Sequence, residues 1–148
     1  MTALDWPGVL AIAQKAAAEA GLQERFATIA GDYHRVALPE AAFDLAIVAN
    51  VTHLETAAGN RDLFERLGRA LRPGGEIAVI DVFPIQAAGA LPAALYALGL
   101  ALRTTSGRVH SAADLQDWLA AAGFGSCRFT SLDAPPYTMG MLLARCNK

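Results

Sequence analysis

The side chains with chemistry to offer collect at the ends of apolar runs. Asp5 closes Thr2-Ala3-Leu4, and Asp32 follows Gly31 after the run Phe26 to Ala30. Asn50-Val51-Thr52-His53 follows Phe43 to Ala49, and Asp81 ends the run that starts at Glu76. In open α/β sheets a ligand binds beyond the carboxyl ends of the strands, so these positions come first. A carboxylate directly after a strand can accept two hydrogen bonds from ribose hydroxyls. A second carboxylate one strand along can take the exocyclic amine of an adenine, or hold a loop. Asp5 and Asp32 have the positions for those two tasks. Each also has a structural task open to it: Asp5 as the cap of a helix after Pro7, Asp32 as the cap of a turn. The three histidines and two cysteines show no metal-ligand spacing.

Those positions need a scaffold, and the chain alternates as an α/β fold does. A short strand ends at Asp5. Val9, Leu10, Ile12, Ala13, Ala16, Ala17 and Ala20 then form a helical stripe that Gly21 stops. Strands follow over Phe26 to Ala30 and Phe43 to Ala49. The second is nearly unbroken in apolar character, which predicts cover on both faces. Leu63, Phe64, Leu67 and Leu71 make one face of a helix whose arginines read as a solvated face. Arg72-Pro73-Gly74-Gly75 punctuates its end, and Glu76 to Asp81 is another buried strand. An apolar helix runs from about Ala87 to Arg103. Ser111 caps a helix with Leu115, Trp118, Leu119 and Ala122 on its inner face. Strands over about Ser126 to Leu132 and Thr138 to Arg145 flank Pro135-Pro136 as an antiparallel hairpin. A symmetric hairpin pairs Cys127 with Ala144, leaving Cys127 and Cys146 diagonal rather than opposed. The whole predicts a layered α/β fold, mostly parallel, with an antiparallel end.

Composition sets the outer limits. With 148 residues and 54% hydrophobic content, the chain has room for one domain and no second. A charged fraction of 18% excludes extended disorder. Twelve Lys and Arg against 14 Asp and Glu give a net charge of -2, which argues against a nucleic-acid binder. Two cysteines form no disulfide scaffold and suit a reducing cytoplasm. No secretory signal stands at Met1 to Gly8. Ala87 to Leu102 is broken by Gly89, Pro92 and Gly99, and falls short of the roughly 20 residues of a membrane span.

Taken in order, the motifs resemble class I S-adenosylmethionine-dependent methyltransferases, in the small-molecule O-methyltransferase branch. Thr2-Ala3-Leu4-Asp5-Trp6-Pro7-Gly8-Val9 resembles the branch's second strand and ribose-binding acid. Gly31-Asp32-Tyr33 resembles its "GDF" segment, whose acid lies near the adenine. Ala42-Phe43-Asp44-Leu45 resembles the start of the fourth strand. Leu71-Arg72-Pro73-Gly74-Gly75-Glu76-Ile77, followed by Asp81, resembles the "L-x-P-G-G" turn and fifth strand. Ala121-Ala122-Gly123-Phe124 resembles the "AGF" before the final hairpin. The resemblance implies a Rossmann-like fold, S-adenosylmethionine as cofactor, and cofactor contacts from Asp5, Trp6, Gly31, Asp32, Tyr33 and Asn50.

Asn50-Val51-Thr52-His53-Leu54-Glu55 is similar to the family's "lHdW" segment, with Leu54-Glu55 in place of the Asp-Trp pair. By this match His53 is the general base that takes a proton from an acceptor hydroxyl. Imidazole suits that task because its ordinary pKa is about 6.5. His34, in the loop after Tyr33, either lines the cofactor rim or faces solvent, and His110 leads into the helix that Ser111 caps. Phe83, Leu91, Leu95, Tyr96, Leu98 and Leu102 fall in the region that shapes or covers the family's acceptor pocket; plain core packing is the other reading. Apolar walls point to an aromatic or polyketide-like small-molecule acceptor.

The resembled fold opens with a strand and a glycine-rich loop, and neither precedes Thr2. The sole Gly-x-Gly, Gly123-Phe124-Gly125, follows a helix and makes no cofactor loop. The expectation is one partial methyltransferase domain over residues 1–148, truncated at its start, with two strand edges open to self-association. Two functions follow: a methyltransferase, or a non-catalytic remnant of the fold that self-associates or binds a partner.

Overall fold

The computed structural model describes residues 1–84, 90–132 and 139–147. Its contacts divide the chain into two units, Met1–Ala37 and Leu38–Lys148.

The first unit is a strand–helix–strand. Strand β1 (Thr2–Asp5) and strand β2 (Ala27–Ala30) pair in parallel, with Asp5 opposite Ala30. Helix α1 (Pro7–Glu19) makes the crossover. Pro7 stands at its first position, where a missing N–H costs nothing. Its end is a Schellman turn: Gly21 has φ +71°, Gly21 N–H bonds Ala18 C=O, and Leu22 N–H bonds Ala17 C=O. Of the apolar stripe, only Leu10 and Ala17 are buried, while Val9 and Ile12 are exposed. Residues i and i+7 share a line along the helix, and two short strands offer cover for that line alone.

The second unit holds a four-stranded sheet in the order β3-β4-β6-β5. Strand β3 (Phe43–Ala49) runs parallel to β4 (Leu71–Val82) through helix α2 (Ala57–Ala70). Strand β6 (Met139–Cys146) lies antiparallel to β4 and to β5 (Phe124–Leu132). Helices α3 (Ala90–Arg103) and α4 (Ala112–Ala121) stand between β4 and β5 in the chain. The order of strands and helices is the one the sequence predicts. Cys127 pairs with Ala144, as a symmetric hairpin requires. The Pro135-Pro136 turn and the stretch 87–89 of the predicted helix lie outside the described residues.

Two local expectations change. The Arg72 to Gly75 turn is a bulge inside β4, because Phe43 opposes Leu71 while Leu45 opposes Glu76. Gly74, at φ +75°, makes that bend, which a side chain would strain. Strand β3 is also not covered on both faces: Leu45 and Ile47 are exposed and Val48 is buried. β4 is the strand buried on both sides, with Ile77 and Val79 at 0% exposure and Ala78 buried between them. It is flanked by β3 and β6, whereas β3 has β4 alone as its partner among the described residues.

Phe64, Phe83, Leu115, Leu119 and Leu142 complete the core of this unit. Ser111 caps α4 in a capping box with Asp114, whose carboxyl the Ser111 bonds hold below the usual range. Buried β4, with a helical crossover on one side and a hairpin on the other, gives its carboxyl end a rigid setting. No described helix is long and apolar enough to cross a membrane.

Candidate active site

β3 ends at Ala49, and the next residue, Asn50, has φ +56°. Asparagine tolerates this left-handed conformation better than most residues. Its N–H still reaches Ile80 C=O at 2.9 Å, so the chain leaves the sheet one residue later. It then folds into a short 3-10 turn, Thr52–Leu54. That turn delivers Thr52 and His53, 2% and 6% exposed, to the carboxyl end of β4, where Asp81 is 1% exposed.

Asp81 gathers every nearby donor. Thr52 Oγ1 donates to Oδ2 at 2.5 Å, and His53 N–H donates to the same oxygen at 3.2 Å. His53 Nδ1 lies 2.6 Å from Oδ1, and Val82 N–H donates to Oδ1 at 2.7 Å. Burial pushes the Asp81 carboxyl up, but the bonds from His53, Thr52 and Val82 outweigh it and leave the group below the ordinary carboxylate range. An ionised carboxylate only accepts, so the imidazole proton sits on Nδ1. Nε2 is left with its lone pair. It points to Tyr96, whose hydroxyl is 3.2 Å away, with the two rings edge to face.

The turn carrying His53 is held from two further sides. Asn60 Nδ2, on α2, donates to Thr52 C=O at 3.0 Å. The segment before α4 takes the next three carbonyls in succession. Arg108 N–H donates to His53 C=O at 2.8 Å, Ser106 Oγ to Leu54 C=O at 3.4 Å, and His110 Nε2 to Glu55 C=O at 3.0 Å. His110 is itself packed edge-on against Trp118, which carries Arg61 on its ring. Bonds at each carbonyl, from the Arg108 N–H and from the Asn60, Ser106 and His110 side chains, fix the turn without drawing on His53 Nε2.

In the first unit, Asp5 and Gly31-Asp32 stand at the same ends of paired parallel strands, and Gly31 N–H donates to Asp5 C=O at 3.1 Å. Asp5 does not cap α1: that helix starts after Trp6 with no side-chain cap. Its Oδ1 instead accepts from Trp6 N–H at 2.7 Å, and the Trp6 indole is exposed. Asp32 does cap a turn, accepting His34 N–H at 2.9 Å and lying 2.8 Å from His34 Nδ1. The His34 backbone and ring bonds hold its carboxyl below the usual range. Tyr33 stacks on His34, whose ring is largely exposed. Two carboxylates and a pair of stacked rings at adjacent strand ends have the donor and acceptor chemistry for a ribose and an adenine.

Of the residues the sequence singles out, Asp5, Trp6, Gly31, Asp32 and Tyr33 thus gather in the first unit. Asn50 and His53 lie in the second. Sequence reading left Asp81 without a partner, although parallel β3 and β4 bring Ala49 opposite Ile80 and so Asp81 beside the turn. The leucines expected at the acceptor region are exposed on α3: Leu91, Leu95, Leu98 and Leu102. Phe83 is core, 1% exposed and packed edge-on against Phe129.

Comparison with known proteins places the chain. The O-methyltransferase domain family matches residues 1–125. Acetylserotonin O-methyltransferase of Bos taurus is 38% identical over 125 residues, covering 84% of this chain and 35% of the relative. The crystal structure of a putative O-methyltransferase from Nostoc punctiforme superposes with a TM-score of 0.87 at 27% identity, over 97% of this chain and 44% of that one. Human N-acetylserotonin methyltransferase, solved in complex with SAM, gives a TM-score of 0.79 at 30% identity, over 99% of this chain and 40% of that one. The chain spans about a third of the length of the curated relatives it matches.

Proposed function

This chain belongs to the O-methyltransferase domain family, and we propose that it serves S-adenosylmethionine-dependent methyl transfer to a hydroxyl of a small aromatic or apolar acceptor, with His53 as general base. The observation that carries the reading is the buried His53–Asp81 pair at 2.6 Å. It fixes the imidazole as the Nδ1–H tautomer and keeps a lone pair on Nε2.

When bound, the cofactor would supply a methyl group on a positively charged sulfur that can keep the electron pair of the broken bond. The protein's part is the proton. As the acceptor oxygen forms its bond to the methyl carbon, its hydrogen passes to His53 Nε2. The imidazole becomes a cation with Nδ1–H still on Asp81, whose charge stabilises it. Thr52 and Val82 N–H hold the carboxylate in place, and Asn60 and the 106–110 segment hold the turn. Preorganised partners of this kind contribute because they need no rearrangement during the reaction. Buried surroundings also keep bulk water from competing for Nε2.

Asp5 would take the ribose hydroxyls, since one of its oxygens has no partner among the described residues. Asp32 and the Tyr33 ring would take the adenine, with Trp6 and Gly31 as further contacts from the same unit. Bovine acetylserotonin O-methyltransferase, by its name, methylates acetylserotonin at oxygen, which favours a small-molecule acceptor that offers a hydroxyl.

Calorimetric titration with S-adenosylhomocysteine tests the cofactor half. One-to-one binding is expected, weakened about tenfold or more in Asp5→Ala, as for the loss of a hydrogen bond to a charged group. Absence of binding at millimolar ligand overturns the reading for this polypeptide. Equal binding by Asp5→Ala removes Asp5 from the cofactor site.

A further inference from the structure

Tyr96 holds the one atom of His53 on which the proposed reaction depends. Its hydroxyl is 3.2 Å from Nε2, and its ring meets the imidazole edge-on, with centroids 5.4 Å apart and planes at 84°. Because Nδ1 carries the proton for Asp81, Nε2 is the acceptor and the Tyr96 O–H is the donor. Nε2 has a single lone pair. It can accept from Tyr96 or from an acceptor hydroxyl, and not from both. A phenol O–H aimed at this lone pair is also the arrangement that an aromatic acceptor must adopt to lose its proton there.

The helix that carries Tyr96 is exposed along most of its described side chains. Among the described side chains of α3, only Leu100 is buried. Leu91, Leu95, Leu98 and Leu102 are 68%, 57%, 56% and 78% exposed. The Tyr96–Nε2 bond of 3.2 Å is at the long end of the hydrogen-bond range, which favours its exchange for a shorter bond to an incoming hydroxyl.

We infer that Tyr96 is an internal plug: its phenol occupies the acceptor's place on His53, and an acceptor binds by displacing it. Tyr96 then sets which acceptors bind. An aliphatic alcohol or an amine without a ring fits the vacated space poorly, and a phenol replaces like with like. This rests on the reading of His53 as the base. It adds that the site is closed by the protein's own side chain until a competing ring arrives. A plug closed in about nine molecules of ten weakens apparent acceptor affinity about tenfold.

The test uses the full chain, labelled with nitrogen-15, and p-cresol as a stand-in for the tyrosine side chain. The His53 Nε2 resonance is read by long-range proton–nitrogen correlation, so no methyl transfer is needed. Tyr96→Ala and Tyr96→Phe should both move Nε2 to the position of an unbonded ring nitrogen. Adding p-cresol should move it back in both variants, and p-cresol affinity, read in all three proteins from the broadening of the cresol methyl resonance, should be about tenfold tighter in Tyr96→Ala than in wild type. Tyr96→Phe preserves the ring packing and should fall between the two. p-Methylanisole, which lacks the hydroxyl, should leave Nε2 unmoved. Equal p-cresol affinity in wild type and both variants overturns the plug, as does an Nε2 resonance that neither substitution shifts. A base reading that fails by kinetics leaves these resonances free to agree with the plug, so the two failures are distinguishable.

Discussion

Replacing His53 by alanine should lower the rate of methyl transfer by about 10²–10⁴-fold, the usual contribution of a positioned general base. S-adenosylhomocysteine affinity should change by no more than about twofold, because the interaction removed belongs to the transition state and not to cofactor binding. The substitution also strips a buried carboxylate of one donor, His53 Nδ1–H, and of part of its enclosure. Loss of a hydrogen-bond donor to a buried charged group is destabilising by about 1.5–3 kcal/mol. His53→Asn therefore belongs beside it. Its amide can donate to Asp81 in place of Nδ1–H, yet it has no basic nitrogen. Both variants should lose turnover, and His53→Asn should retain more of the folding stability. Rates are read in single-turnover assays with a labelled methyl donor, and stability by urea titration. A folded variant that transfers methyl at the wild-type rate removes His53 from the mechanism.

Asp81→Asn should be as damaging for a different reason. The amide keeps the shape of the carboxylate but can donate. Facing Nδ1, it favours the tautomer with the proton on Nε2, and that tautomer cannot accept a proton from an acceptor hydroxyl. In a catalytic triad the same exchange of aspartate for asparagine costs about 10⁴-fold, so a loss of roughly 10³-fold or more is expected here. A second readout separates this from simple disruption. The folded-state pKa of Asp81 lies below its unfolded value, which is near 3.9 for an aspartate. Its contribution to stability is therefore fully present above the unfolded pKa. It is lost as pH falls through the lowered folded value. Wild type should lose stability as pH falls below about 4, and Asp81→Asn should show a flatter acid limb there. An identical acid limb in both proteins would mean that Asp81 is not the depressed carboxylate of this site.

The sequence carried the frame well because the frame is local. Gly21, Ser111 and Gly123 end or start helices by their own backbone and side-chain chemistry, and each does so in the structure. The alternation of apolar runs gave strand and helix order. It could not give how far each face is covered. Burial depends on neighbours in space, so β3, with a strand on one side, exposes Leu45 and Ile47 despite an unbroken apolar run. The same holds for the bulge at Gly74, where the turn signal was right but the strand resumes on both sides of it.

The site divides in the same way. Asp5, Asp32 and His53 are legible because they stand at, or within four residues of, the carboxyl ends of strands. Asp81 was visible as a strand-end acid, but its bond to His53 joins residues 28 apart in the chain. Tyr96 is 43 residues from His53, on a helix whose apolar sequence reads equally well as core or cover. Sequence patterns report a residue's own helix or strand. The hold of the 106–110 segment on three carbonyls of the His53 turn leaves no pattern in the sequence, since Ser106, Arg108 and His110 reach backbone acceptors 52 to 55 residues away.

The central claim is that His53 Nε2 takes the acceptor's proton, and chemical rescue tests it most directly. Methyl transfer to a phenol by His53→Ala is measured in single turnovers with increasing free imidazole, over a range of pH. The account predicts that imidazole restores the rate, and that the restored rate rises with the fraction of imidazole in its neutral form. A variant that transfers methyl at the wild-type rate without imidazole, or one that stays folded, binds the cofactor and gains nothing from it, would contradict the account.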